Sequence, residues 1–314
     1  MPAAEPTLAT VPPGFMRYFL ATRPAFLSVT LVAAFIGLGT SQVNGTAFHL
    51  DAALVTVLFA LVAHAGINVI NDYYDELNGT DRINDERIFP FTGGSRFIQN
   101  GVLTSSQTLG LGLLLCAAVI PAGAWLASRA GPGLYLIGFA GLFIGWAYSA
   151  PPLKLNSRGL GELAVAAGFA LIVIGADFVQ RHEWSWTPAI ASVSYALLVT
   201  NILFINQFPD YKADAAVGKR HWVVIAGPER ARWGYVAIVL VSCLWLAVAV
   251  ASGVLPKLAL IALVSIFPSL KAAKGLLQFS SRPARLADAI RATIGAASLH
   301  GLALSGALIA QRFI

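Results

Sequence analysis

The chain has 314 residues, of which 57% are hydrophobic and only 11% charged, whereas an ordinary soluble domain carries about 25% charged residues. That balance excludes a soluble globular protein of usual make-up and marks a chain that crosses a membrane repeatedly. The formal charge of +6 does not point to nucleic acid, because the basic residues alternate with apolar runs and form no continuous basic face.

The first residues, 1–14, are rich in Pro and Ala and lack the basic region, apolar core and small-residue cleavage site of a signal peptide. They read as a disordered lead-in to a single transmembrane domain over 15–314. Apolar runs of membrane-spanning length follow near 22–42, 52–77, 106–128, 132–149, 160–180, 188–208, 232–253, 256–273 and 287–312. The fold class is therefore all-α: a polytopic membrane protein of about nine transmembrane helices. With this alternation, all but Arg129, Arg181, Lys257 and Arg312 of the twenty-one Lys and Arg fall on one side. By the positive-inside tendency that side is cytoplasmic, with the N-terminus inside, as in a bacterial inner membrane. The two long loops on that side, about 78–105 and 209–231, are expected to cap a cavity. Cys116 and Cys243 each sit within an apolar run and read as core thiols, supporting neither a disulfide framework nor a thiolate metal site.

Carboxylates gather at the end of the second run, in Asn68-Val69-Ile70-Asn71-Asp72-Tyr73-Tyr74-Asp75 and on to Asp81. A carboxylate in a membrane segment costs roughly 2.5–3.5 kcal/mol on insertion scales and so faces water, a partner or a cation. A second cluster, Asn206-Gln207-Phe208-Pro209-Asp210 through Asp214, ends the sixth run, four helices later. Because four is even, both clusters reach the same membrane face. Asn71 and Asp75 are four residues apart, as are Asn206, Asp210 and Asp214. Helical side chains at that spacing stack on one face about 6 Å apart. Each cluster is a rack of hard oxygen ligands, the type that suits Mg²⁺ bridged to substrate phosphates. The recurrence also suggests two related halves around a central cavity.

These motifs resemble the UbiA superfamily of intramembrane aromatic prenyltransferases. Asn71-Asp72-Tyr73-Tyr74-Asp75, Gly79-Thr80-Asp81 and Gly93-Gly94-Ser95-Arg96-Phe97-Ile98-Gln99 look most like its menaquinone-pathway branch. The resemblance implies an enzyme in which Asn71, Asp75, Asp81, Asn206, Asp210 and Asp214 hold Mg²⁺ against a prenyl diphosphate donor. The commonest family pattern has its third acid four residues after Asp75. That position is Gly79 here, so Asp81 serves only if Gly79 turns it back. The resemblance also implies that Tyr148 and Lys154, six residues apart, contact the diphosphate with catalytic effect. Arg23, Asn68, Asp72, Arg96, Lys219 and Arg220 are further diphosphate-binding candidates. Asp72 points away from the rack and is suited to hold a basic partner. His64 reads as a structural helical histidine and is left out of the site.

The implied reaction transfers a prenyl chain to an aromatic acceptor within the bilayer, with 1,4-dihydroxy-2-naphthoate as the leading acceptor. A 4-hydroxybenzoate, homogentisate or tetrapyrrole acceptor is the alternative. A cation-coupled transporter would place its acids near the membrane midplane on broken helices rather than at helix ends. A non-catalytic scaffold would need no paired Mg²⁺-type motifs. No nucleic-acid partner is implied, and neither prenyl length nor oligomeric state can be read from the sequence.

Overall fold

The computed structural model describes residues 4–43 and 45–313. Its elements are helical throughout the described residues. A short helix α1 (Phe15–Ala21) leads into α2 (Ser28–Gln42), α3 (Leu50–Asn78), a single turn α4 (Thr80–Ile83), α5 (Ser105–Ala130) and α6 (Gly133–Ser149). The second half comprises α7 (Gly161–Arg181), α8 (Trp186–Ala216), the short α9 (Trp222–Ala226), α10 (Pro228–Ala251), α11 (Ile266–Phe279) and α12 (Ala287–Ala310). A 3₁₀ stretch, Lys257–Ser265, runs straight into α11 and completes its span. Among the described residues, eight helices are long and apolar enough to cross a bilayer, and α6 is a shorter apolar helix. The expected count of about nine therefore holds.

Backbone groups in hydrocarbon must find their partners within the chain, so spanning segments become helices whatever their individual propensities. The exterior follows the same logic. Leu54 and Leu58 on α3, Phe139 on α6 and Leu244 on α10 are exposed apolar side chains, facing lipid rather than water. Exposed tryptophans ring the two ends, with Trp184 and Trp186 at one and Trp222 and Trp233 at the other, as amphipathic rings do at bilayer interfaces.

α2 packs on α7 and α12, α7 on α8, and α8 on α10, while α3 lies along α5 and α6 closes the ring against α7. Small residues set the closest approaches. A Cβ on Gly37 would stand 2.2 Å from the Val173 carbonyl oxygen, so α2 and α7 meet backbone to backbone. The largest buried cluster joins α2, α7, α8, α10, α11 and α12, with Tyr195, Phe208, Tyr235 and Leu304 fully enclosed or nearly so. Between that side and the α3, α5 and α6 side lies a cavity of about 860 Å³.

Two expectations are corrected. α8 does not stop at Phe208 but continues through Pro209 to Ala216, so the second loop is 217–227 rather than 209–231. Proline removes one helical hydrogen bond without ending a membrane helix whose neighbours hold it in place. The lead-in is also not disordered over its described part. Glu5 pairs with Arg87 at 2.7 Å, Asn100 donates to the Pro6 carbonyl at 2.8 Å, and Val11 is buried with Ala21, Phe97, Val102 and Leu103. One acid and one valine outweigh a composition that alone suggests disorder. Residues 1–3 of the lead-in lie outside the described residues.

Candidate active site

α3 has 29 residues and α8 has 31, which at about 1.5 Å per residue makes each more than 40 Å long. The hydrocarbon core is about 30 Å thick, so both helices are longer than a bilayer requires, and the racks occupy their C-terminal turns. Asn71 and Asp75 from α3 and Asn206, Asp210 and Asp214 from α8 all line one end of the cavity. Asn71 donates to Ser149 Oγ at 2.8 Å. Asn84 Nδ2 donates to Asp210 at 2.6 Å. Asp214 accepts from Thr80 Oγ1 at 2.6 Å and meets His221 Nε2 at 3.1 Å.

Gly79 caps α3 in the left-handed conformation, at φ 82°, where glycine carries no steric cost. The reversal starts α4 and brings the buried Asp81 into the cavity wall with the racks. The 84–104 loop then folds over them. Arg96 Nη1 donates to the Asp81 carbonyl, and the Ser95 amide lies 3.3 Å from both Asp72 oxygens. At Gly94, φ is 72° and a Cβ would stand 2.2 Å from Asp81 Oδ2. The loop can lie this close to the acids only with a glycine there.

Lys219 joins the two racks. Its ammonium is buried and lies 2.7 Å from Asp75 Oδ1 and 3.2 Å from Asp214 Oδ1. Burial alone would push this lysine down, but the Asp75 and Asp214 charges outweigh it and hold the group above the usual lysine range. Asp81 moves the opposite way: burial, then the neighbouring Asp75 and Asp72 charges, raise it well above the usual carboxylate range. Lys219 and Arg23 together thus face five acids, Asp72, Asp75, Asp81, Asp210 and Asp214, at this end.

The acids suit a hard cation. Asp81 Oδ2 and Asn206 Oδ1 are both buried without a hydrogen-bond partner, a cost that a ligand or ion would relieve. Among the described residues no three acidic or histidine groups form a closed metal cage. The acids instead rim a cavity mouth, the arrangement for Mg²⁺ that keeps waters and shares itself with phosphate oxygens. The opposite end of the cavity is apolar, lined by Ile120, Gly138, Leu142, Ile172 and Val179 among others.

Not every residue singled out from sequence comes to this wall. Arg23, Asn68, Tyr148 and Lys219 line it with the racks. Asp72, Arg96, Lys154 and Arg220 do not. Asp72 anchors the Ser95 amide, and Arg96 is taken up by Asp81 and by Glu5 at 3.5 Å. Lys154 follows the proline pair after α6 in a left-handed conformation, φ 44°, with its side chain exposed. Arg220 is exposed as well, and its backbone amide bonds Ser157 at 2.9 Å. Conversely, Thr80, Asn84 and His221 line the cavity without having been singled out, and so does His64, which the sequence reading set aside as structural. The His221 signal was its place two residues after Lys219; for Thr80 it was the neighbouring Asp81.

The apolar spans and the cavity, closed at one end by facing acids around a buried lysine, define an integral membrane protein with its polar groups gathered at one end of an apolar chamber. Residues 26–289 match the UbiA prenyltransferase family, and the chain belongs to that family. It is a membrane prenyltransferase. It is 28% identical over 232 residues to the 2-carboxy-1,4-naphthoquinone phytyltransferase of Synechocystis, covering 73% of this chain and 72% of the relative. It is 25% identical over 296 residues to the 1,4-dihydroxy-2-naphthoate octaprenyltransferase of Bacillus subtilis, covering 93% and 92%. A UbiA homologue from Archaeoglobus fulgidus, solved bound to GPP and Mg²⁺, has the same fold. It superposes with a TM-score of 0.58 at 15% identity, over 92% of this chain and 99% of that one.

Proposed function

We propose that this chain transfers a prenyl group from an allylic diphosphate to 1,4-dihydroxy-2-naphthoate, a step of menaquinone formation. The observation that carries the transfer chemistry is the pair of Asn/Asp racks on α3 and α8, facing one another across the mouth of an apolar cavity. The acceptor rests on the naphthoate-specific names of the relatives described above. Asn71, Asp75, Asp81, Asn206, Asp210 and Asp214 would hold Mg²⁺, which when bound supplies charge neutralisation for the diphosphate. Lys219 and Arg23 add fixed positive charge at the same end, and Tyr148 offers a hydroxyl donor.

The carbon–oxygen bond of the donor breaks and diphosphate leaves with the bonding pair. A ring carbon of the acceptor attacks the resulting allylic cation and then releases a proton, or carbon dioxide where it carries the carboxylate. The apolar wall keeps water from the cation. Lys154 and Arg220, set outside the cavity wall, have no part in this reading. The charge asymmetry supports an orientation with the racks on the cytoplasmic side of a bacterial inner membrane.

The test is transfer of a labelled prenyl group by purified protein in detergent, with dihydroxynaphthoate and 4-hydroxybenzoate offered separately, with and without Mg²⁺. Mg²⁺-dependent product from the naphthoate alone is the expected result. Donor binding with no product from the naphthoate would overturn the acceptor, and absence of donor binding would overturn the transferase reading.

A further inference from the structure

The racks account for one end of the cavity but not for a second polar patch on its wall. His64 lies on α3 seven residues before Asn71, about 10 Å deeper into the membrane at helical rise, and lines the cavity. Its Nδ1 is 2.6 Å from Thr30 Oγ1 on α2. The ring stands edge-on to Phe169 of α7, with centroids 5.7 Å apart. Thr30 is fully buried, so the imidazole is pinned from behind. Nε2 is then the ring nitrogen not held by Thr30. Asn68, one turn nearer the racks, also lines the cavity; its Nδ2 donates to the Thr22 carbonyl at 3.3 Å, and its side chain also interacts with the His64 imidazole, so the two form one polar pair on the wall.

These residues share a side of α3. His64 and Asn68 turn toward α2 and the segment before it, through Thr30 and Thr22. Ile67 and Asn71 turn toward α6, where Ile67 packs on Gly145 and Asn71 bonds Ser149. The α6-ward wall continues with Gly138, Gly141, Leu142 and Ile120, all without polar side chains. At Gly138 and Gly141 a Cβ would meet nothing within 4 Å, so that wall leaves open space. A prenyl chain needs such a wall and gains nothing from an imidazole. Polar side chains at membrane depth carry a desolvation cost unless they are bonded, and they mark the path of a polar ligand.

We propose that His64 and Asn68 form the acceptor pocket: Nε2 of His64 and the Asn68 amide hydrogen-bond a ring hydroxyl of a hydroxylated aromatic acceptor. The donor chain runs along the α6-ward wall, and Phe169 and Phe26 supply apolar surface for the acceptor's ring. The pocket rests on the transferase reading above and assigns the acceptor its own place in the cavity.

The test uses the full chain in detergent with His64→Phe, which keeps a ring but no hydrogen bond, and His64→Gln, which restores a polar amide. Transfer kinetics are measured with dihydroxynaphthoate and with 1-hydroxy-2-naphthoate. Donor binding is measured separately, by titration with a non-reactive thiolodiphosphate analogue and Mg²⁺. The expected result for His64→Phe is an acceptor KM at least tenfold higher, donor Kd within twofold, and loss of the preference between the two naphthoates. His64→Gln recovers most of the KM. An unchanged acceptor KM in His64→Phe, or equal weakening of donor and acceptor, overturns the pocket. A lowered melting temperature without the KM split overturns it in favour of a structural histidine. Absence of donor binding in the unaltered chain overturns the transferase reading together with the pocket, which separates the two failures.

Discussion

Replacing Lys219 by Met removes the ammonium between Asp75 and Asp214 while keeping most of the side-chain volume. At 2.7 and 3.2 Å, and with an effective dielectric of about 20, the two attractions are on the order of 6 and 5 kcal/mol before desolvation. Removing one partner of a buried pair costs about 3–5 kcal/mol, because the remaining charge stays buried and unpaired. Lys219→Met should therefore melt lower by about 5–8 °C in metal-free detergent solution. Because the stranded groups are carboxylates from both racks, millimolar Mg²⁺ should return most of that loss in the variant and shift the wild-type chain much less. Thermal unfolding followed with a thiol-reactive dye on Cys116 and Cys243, with EDTA or Mg²⁺, reads both effects. A variant that melts with the wild type in EDTA would refute Lys219 as the counter-charge of the racks. A loss that Mg²⁺ leaves untouched would refute the racks as a divalent-cation site.

Asp75→Asn and Asp210→Asn each take one acid from a different helix, and each should lower prenyl transfer at least 100-fold while size-exclusion profiles stay unchanged. Gly94→Ala places a Cβ 2.2 Å from Asp81 Oδ2 at a φ of 72°, so transfer and thermal stability should fall together, whereas Gly101→Ala, also at positive φ but with open space around it, should cost stability alone. Glu5 provides a pH test. Burial raises its carboxyl, but the Arg87 and Asn100 hydrogen bonds and the Arg charges outweigh this and lower it below 4.5. A carboxyl lowered on folding contributes stability that is present above its unfolded value and lost as pH falls through its folded one. Protease cutting within residues 5–14 should accordingly rise below about pH 4.5, and Glu5→Gln should show that raised cutting already at neutral pH.

The helix count and the meeting of the racks were legible in the sequence because both follow from strong constraints. A bilayer fixes helix length, and Lys and Arg sort by side, so one missed helix would have scrambled the charge pattern. The four-residue spacing of Asn206, Asp210 and Asp214 needs a helix, and α8 supplies one through Pro209. The end expected near residue 208 came from where the apolar run stops, but the helix runs on past the apolar residues to Ala216. The order of residues 5–14 was not legible, since it depends on Glu5 finding Arg87 and Arg96 more than eighty residues away. Lys154 was misplaced because sequence spacing fixes reach along the chain but not the direction a side chain takes after a turn. His64 was set aside as a structural helical histidine and His221 was not considered, because a single histidine has no periodic signal. Only the packing of α2 against α3, and of the 217–227 segment under α8, shows what each ring faces.

The Lys219 bridge also bears on how the molecule is made. Asp75 and Lys219 are separated by 144 residues. At about 5–20 residues per second of synthesis, the acid leaves the ribosome roughly 7–30 s before the ammonium that neutralises it. Through that interval the first half of the chain holds Asp75 and Asp81 without the Lys219 charge that faces them in the folded chain. It can wait because Asp75 lies in the last turn of α3 and Asp81 just after it, at a helix end rather than mid-helix. The ancestry suggested by the repeated motif therefore no longer implies autonomy. The N-terminal half carries a charge debt that only the C-terminal half can settle, and the two become one folding unit when Lys219 docks.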